Sequence, residues 1–146
     1  MSAPAVINTL QELAGKEVDQ AAEKLGGINK QLEEELGKLE MLRGYRNDYL
    51  EKLSRQLSAG LDAQAHQNFQ RFMRMLDQAI VGQEDAVQSA RLQVQQCREQ
   101  WQASQRKKLS YEVLGERSEK RAQQQELKRD QKLMDEHAMR TRRAGQ

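Results

Sequence analysis

Few residues of this chain carry chemistry suited to catalysis or metal binding, and their spacing keeps them apart. His66 and His137 fall at opposite ends of one helical stretch, and neither has a second His or Cys at a helical spacing that would share a metal ion. Cys97 is the single cysteine. It occupies an apolar seam position, where a thiol acts as a small apolar filler, and no intramolecular disulfide can form. A reducing compartment follows. Gly26-Gly27 is not followed by the Gly-Lys-Ser/Thr of a phosphate-binding loop. Carboxylates are plentiful, yet acid-base catalysis needs a pocket that shifts their pKa, and a narrow helical seam supplies none. The expectation is a protein that is not an enzyme and that uses no cofactor and no metal.

What remains is chemistry of recognition. Leu42, Tyr45 and Tyr49 stand at i, i+3 and i+7, and Phe72, Leu76 and Ala79 at i, i+4 and i+7. These two sets form an apolar stripe beside the main seam, either thickening the coil near its turn or offering a docking patch to another protein. A second feature is basic. From Arg106 onward the chain carries 12 Lys and Arg with seven acids interleaved, among them Glu116, Glu119, Asp135 and Glu136. Arg117, Lys120, Arg121, Lys128, Arg129 and Lys132 are the candidate residues for a complementary charged partner. The plainer alternative is a solvated helix laced with i,i+4 ion pairs. Nucleic acid fits poorly, because the interleaved acids repel phosphate and no aromatic platform accompanies the cations.

The elements that position these residues follow from one short stretch, Leu57-Ser58-Ala59-Gly60-Leu61-Asp62. Gly60 suits the left-handed position past a helix end, and Asp62 can cap the next helix through its carboxylate. Before it, alternate steps of four and three from Ile7 reach Gln11, Ala14, Val18, Ala21, Leu25, Ile28, Leu32, Glu35, Leu39, Leu42, Arg46, Tyr49 and Leu53. Eleven of these fourteen are apolar or Tyr. A competing frame, Val6-Leu10-Leu13, leaves the register of the first turns open. After the turn, the same stepping from Phe69 gives Met73, Leu76, Ile80, Gln83, Val87, Ala90, Val94, Cys97 and Trp101, nine of ten apolar. Beyond Trp101 the frame meets Ser104 and Lys108 and is expected to fail, with Leu109, Val113 and Leu114 out of step.

The expected fold is all-α: two long helices, about 5–58 and 62–140, forming an antiparallel coiled-coil hairpin across a turn at 58–62. Facing residues should have numbers that add to about 121. The second helix therefore outlasts its partner near Gly115, and residues 115–146 become a charged overhang and tail of one single-domain hairpin. Composition agrees, with 37% hydrophobic, 32% charged and only 4% aromatic residues in 146, enough for a seam and not for a thick core. Residues 1–60 carry 8 basic and 10 acidic side chains, net −2, and residues 61–146 carry 16 and 12, net +4, so the two helices attract one another. The start Met1-Ser2-Ala3-Pro4 lacks the charged start and apolar run of a secretory signal, and no run approaches the roughly 20 apolar residues of a membrane span. A soluble cytoplasmic protein is expected.

Four segments carry a family resemblance: Leu13-Ala14-Gly15-Lys16-Glu17-Val18-Asp19-Gln20-Ala21-Ala22, Met41-Leu42-Arg43-Gly44-Tyr45-Arg46-Asn47-Asp48-Tyr49, the run from Phe69 to Ile80, and Asp130-Gln131-Lys132-Leu133-Met134-Asp135-Glu136. In order, spacing and total length they resemble the FliJ family of the bacterial flagellar protein-export apparatus. The resemblance implies an antiparallel coiled coil similar to the central stalk of rotary ATPases. It also implies action with the hexameric export ATPase FliI and its regulator FliH, contact with the export gate protein FlhA, and binding of export chaperones. The gate contact would map onto Leu42, Tyr45, Tyr49, Phe72, Leu76 and Ala79, while Lys38 and Gln83 depart from the family pattern. On this resemblance the chain is a non-enzymatic stalk or coupling factor of flagellar type III export, peripheral at the inner face of the cell membrane through its partners. The alternative from another class is a general coiled-coil adaptor or chaperone-binding rod with no ATPase partner.

Overall fold

The computed structural model describes residues 2–145 and contains two helices, α1 (Ala3–Ala59) and α2 (Ala63–Ala144). They pack antiparallel as a coiled-coil hairpin. Both run slightly longer than the expected 5–58 and 62–140. At the start of α1, the amides of Ala5 and Val6 donate to the Ser2 carbonyl at 3.1 and 3.2 Å, so Pro4 sits in a first turn that needs no donor from it. Gly26-Gly27 leaves α1 uninterrupted.

The turn is built as its residue types dictate. Gly60 has φ 91°, the sole positive φ among the described residues, and its amide donates to the Leu57 carbonyl at 3.3 Å. A Cβ in that conformation crowds the following carbonyl, which is why glycine stands there. Asp62 caps α2, its Oδ1 accepting the Ala65 amide at 2.7 Å.

The chain divides into two compact units. The unit Ala21–Trp101 holds the turn and the apolar seam. From α1 it buries or half-buries Ala21, Leu25, Ile28, Leu32, Glu35, Leu39, Leu42, Arg46, Tyr49 and Leu53. From α2 it does the same with Phe69, Met73, Leu76, Ile80, Gln83, Val87, Ala90, Val94, Cys97 and Trp101. Every position reached by the four-three stepping is therefore inside. Leu39, Ile80 and Val87 form the core cluster, with Leu32 and Leu42 packed against it. The polar seam residues are satisfied across the interface. Gln83 Nε2 donates to both the Glu35 carbonyl and its carboxylate, and Arg46 Nε donates to Asp77 Oδ1 at 2.7 Å.

The other unit pairs residues up to Gln20 with those from Gln102. Here Ile7, Gln11, Ala14 and Val18 face inward while Val6 and Leu13 are exposed, so the Ile7 frame governs the first turns. One expectation is corrected. The α2 seam does not fail after Lys108 but continues through Ser104, Lys108, Tyr111, Gly115 and Ser118, all half-buried, while Leu109, Val113 and Leu114 lie outside it. Burial here follows helix geometry rather than hydropathy, because α1 still supplies a facing helix. Gly115 leaves room for the Gln11 side chain, whose Nε2 donates to the Tyr111 carbonyl at 3.0 Å; a Cβ there would make that flexible side-chain end shift. Residues 119–145 are all exposed.

Candidate partner-binding surfaces

In a two-stranded antiparallel coil, each seam is flanked by two edges, and the side chains there decide what the surface can bind. In the turn-bearing unit the two edges differ. One edge is ionic: Arg43 pairs with Glu84 at 3.6 Å, next to the Arg46–Asp77 pair. Their side chains are about half exposed, so these pairs set register more than they add stability. The opposite edge is apolar and aromatic. Tyr49 is half-buried and stacks at a tilt on Phe69 and Phe72, with ring centroids 4.8 and 4.3 Å away. Tyr45, Phe72 and Ala79 are exposed beside it. Tyr45, Asp48, Tyr49, Lys52 and Phe72 line an open groove along this edge.

The six residues singled out as a patch therefore take two roles. Leu76 is buried in the seam, and Leu42 packs against the core cluster. Tyr49 bridges seam and surface, and Tyr45, Phe72 and Ala79 supply the outward face. Two residues that the spacing argument missed belong with them. Met41, four before Tyr45, is 56% exposed, and Met75, three after Phe72, is 61% exposed. Their signal was present in the sequence as i,i+4 and i,i+3 neighbours of the aromatic pair. Flexible thioethers beside rigid aromatic rings suit a surface that adapts to a partner.

In the second unit, Arg117, Lys120, Arg121, Lys128, Arg129 and Lys132 are all exposed on α2. Among the described residues none of the six makes an ion pair or a side-chain hydrogen bond. The i,i+4 lacing expected of a self-sufficient charged helix is thus not formed at these cations, and their charge is available to a partner. His66 lies in the first turn of α2 with its Nε2 3.2 Å from the Gln70 amide nitrogen, and His137 lies far along the same helix. No group of three His, Cys, Asp or Glu able to hold a metal occurs among the described residues. Among the described residues no helix is long and apolar enough to cross a membrane.

The family model described as Flagellar FliJ protein matches residues 4–146, nearly the whole chain. The chain belongs to the FliJ family. The Flagellar FliJ protein of Escherichia coli (strain K12) is 31% identical over 140 residues, spanning 96% of this chain and 95% of the relative. That of Salmonella typhi is 29% identical over 140 residues with the same coverage. This FliJ-family chain is a non-enzymatic component of flagellar protein export that works with other components of the export apparatus.

Proposed function

We propose that this FliJ-family chain is a coupling factor that binds and stimulates the export ATPase FliI, contacts the export gate FlhA and escorts export chaperones. FliH, the regulator of the ATPase, belongs to the same set of partners. The single observation that carries the proposal is the presence of two unlike surfaces, one in each unit. One is an apolar aromatic edge near the turn, with Tyr45 and Phe72 exposed; the other is an exposed basic stretch whose six candidate cations make no ion pair among the described residues. An aromatic edge of this kind is a typical hot-spot surface for a protein partner. The unpaired cations suit an acidic opening, where complementary charge steers encounter. In this reading the gate takes Tyr45, Tyr49, Phe72 and Ala79, supported from beneath by Leu42 and Leu76. The ATPase ring takes the end bearing Arg117, Lys120, Arg121, Lys128, Arg129 and Lys132. The protein acts in the cytoplasm and is held at the inner face of the cell membrane only through these partners.

Three variants test the two halves of the proposal separately. Tyr45→Ala and Phe72→Ala should each abolish or strongly weaken FlhA binding while leaving ATPase stimulation intact. Truncation after Ser118 should remove stimulation of FliI while leaving gate binding intact. Gate binding that survives both alanine substitutions removes the docking role from the patch. Stimulation that survives the truncation removes the ATPase role from the basic end.

A further inference from the structure

The competing frame in the first turns of α1 has a structural consequence. Because Ile7 and Ala14 take the seam, Val6, Leu10 and Leu13 form a second apolar stripe along one edge of α1. Val6 is 43% and Leu13 51% exposed, and Leu10 is half-buried. The edge they share with α2 is identified by the ion pair between Glu17 and Lys107 at 3.2 Å. One heptad further along each helix from that pair stand Leu10 and Leu114. Leu114, 46% exposed, is therefore the α2 neighbour of the stripe. Four large apolar side chains gather on one edge, and the hairpin does not need them for its own seam.

We infer that Val6, Leu10, Leu13 and Leu114 form a docking site for an acidic amphipathic helix of a partner protein. The spacing of four then three along α1 is that of a helix-on-helix seam, so α1 carries two such seams turned roughly 100° apart. The first takes α2, and the second is set to take a third helix lying against both. Charge selects the sign of that helix. Arg117 and Arg121 follow Leu114 by three and seven residues, and Lys16 follows Leu13 by three, so they stand beside the stripe. The acid on the same edge, Glu17, is already neutralised by Lys107. An apolar strip rimmed by free cations binds a helix with an apolar face and acidic flanks. The four apolar residues belong to neither the gate nor the ATPase assignment, whereas Arg117 and Arg121 are shared with the ATPase assignment.

The test uses the full chain and a synthetic three-heptad peptide with Leu at a and d and Glu at e and g, read by fluorescence anisotropy. Three comparison probes accompany it: the same residues scrambled so that the leucines share no face, a Lys counterpart, and phosphatidylglycerol vesicles. The acidic helix should bind, the scrambled and Lys peptides should not, and raising salt should weaken binding. Leu13→Ser with Leu114→Ser should lower affinity at least about tenfold, and Arg117→Ser with Arg121→Ser should flatten the salt dependence. If the serine pair lowers helicity at 222 nm, Leu13→Ala with Leu114→Ala, which favours helix, carries the same expectation. Equal binding of the scrambled peptide overturns the inference, as does unchanged affinity in the leucine variants. Binding to vesicles through these leucines without binding to the acidic peptide overturns it in favour of a membrane surface.

Discussion

Glu35 and Gln83 are the polar pair at the centre of the apolar seam, and substituting them isolates what such a pair does. Glu35 has a side chain 18% exposed, close enough to burial that its carboxylate depends on the donors it has. It accepts from Gln83 Nε2, and Lys38 approaches it at 3.6 Å with a side chain 62% exposed. Gln83→Leu removes the seam donor and leaves the carboxylate facing a leucine. A lost hydrogen bond to a charged group costs about 1.5–3 kcal/mol. Half-burying the new leucine returns about 1 kcal/mol, so the single variant should be destabilised by about 0.5–2 kcal/mol. Glu35→Leu combined with Gln83→Leu leaves no orphan and adds two seam leucines, and should be about 1–2 kcal/mol more stable than the parent. With Glu35→Leu alone measured as the remaining corner of the cycle, the coupling between the two substitutions should be favourable. Urea unfolding followed at 222 nm measures all of these quantities. A Gln83→Leu variant that is itself more stable than the parent would refute the claim that this pair is a coupled unit in the seam.

Other outcomes follow from the geometry. Gly60→Ala should cost about 1–2 kcal/mol in the same urea assay, because alanine cannot adopt φ 91° without strain; Asp62→Ala should cost about 1 kcal/mol through loss of the Ala65 cap. Tyr49→Ala should destabilise by about 3 kcal/mol, since its ring fills the space between Phe69 and Phe72, whereas Tyr45→Ala, 55% exposed, should change stability by less than about 0.5 kcal/mol. By hydrogen exchange, amides of residues 119–145 should exchange far faster than those around Leu39, Ile80 and Val87, because the first set has no facing helix and the second surrounds the core cluster.

The turn and the apolar seam were legible in the sequence because each is set by a local rule. Gly60 and Asp62 announce the turn through residue type alone, and the four-three repeat from Leu32 to Leu53 and from Phe69 to Trp101 is the longest apolar phase of each stretch. The first turns of α1 were ambiguous for a physical reason: Val6-Leu10-Leu13 and Ile7-Ala14-Val18 are both apolar stripes, and only the presence of α2 decides which one is covered. The continuation of the α2 seam through Ser104, Lys108 and Ser118 was illegible because those residues carry no hydrophobic signal. They are half-buried by the mere proximity of α1. In the candidate patch, spacing grouped the six residues but did not separate the buried Leu76 from the exposed Tyr45 and Phe72. That separation depends on where each side chain falls relative to the seam centre, not on the sequence interval alone.

The polar residues of the seam divide its labour. An all-apolar seam of this repeat offers a similar surface at every heptad and would leave register to the short turn alone. Glu35–Gln83, Arg46–Asp77 and Gln11 with the Tyr111 carbonyl each exist in only one alignment, and sliding would leave half-buried polar groups without partners. Register matters because each surface on this hairpin is composite. The aromatic edge needs Tyr45 and Tyr49 of α1 opposite Phe72 of α2, and the outer apolar stripe needs Leu10 of α1 beside Leu114 of α2. A slip of one heptad would have to unwind about two helical turns beside Gly60, and it would take both surfaces apart. The polar seam residues thus preserve the recognition surfaces at some cost in seam stability, which is the trade that the doubly substituted Glu35 and Gln83 variant is expected to reverse.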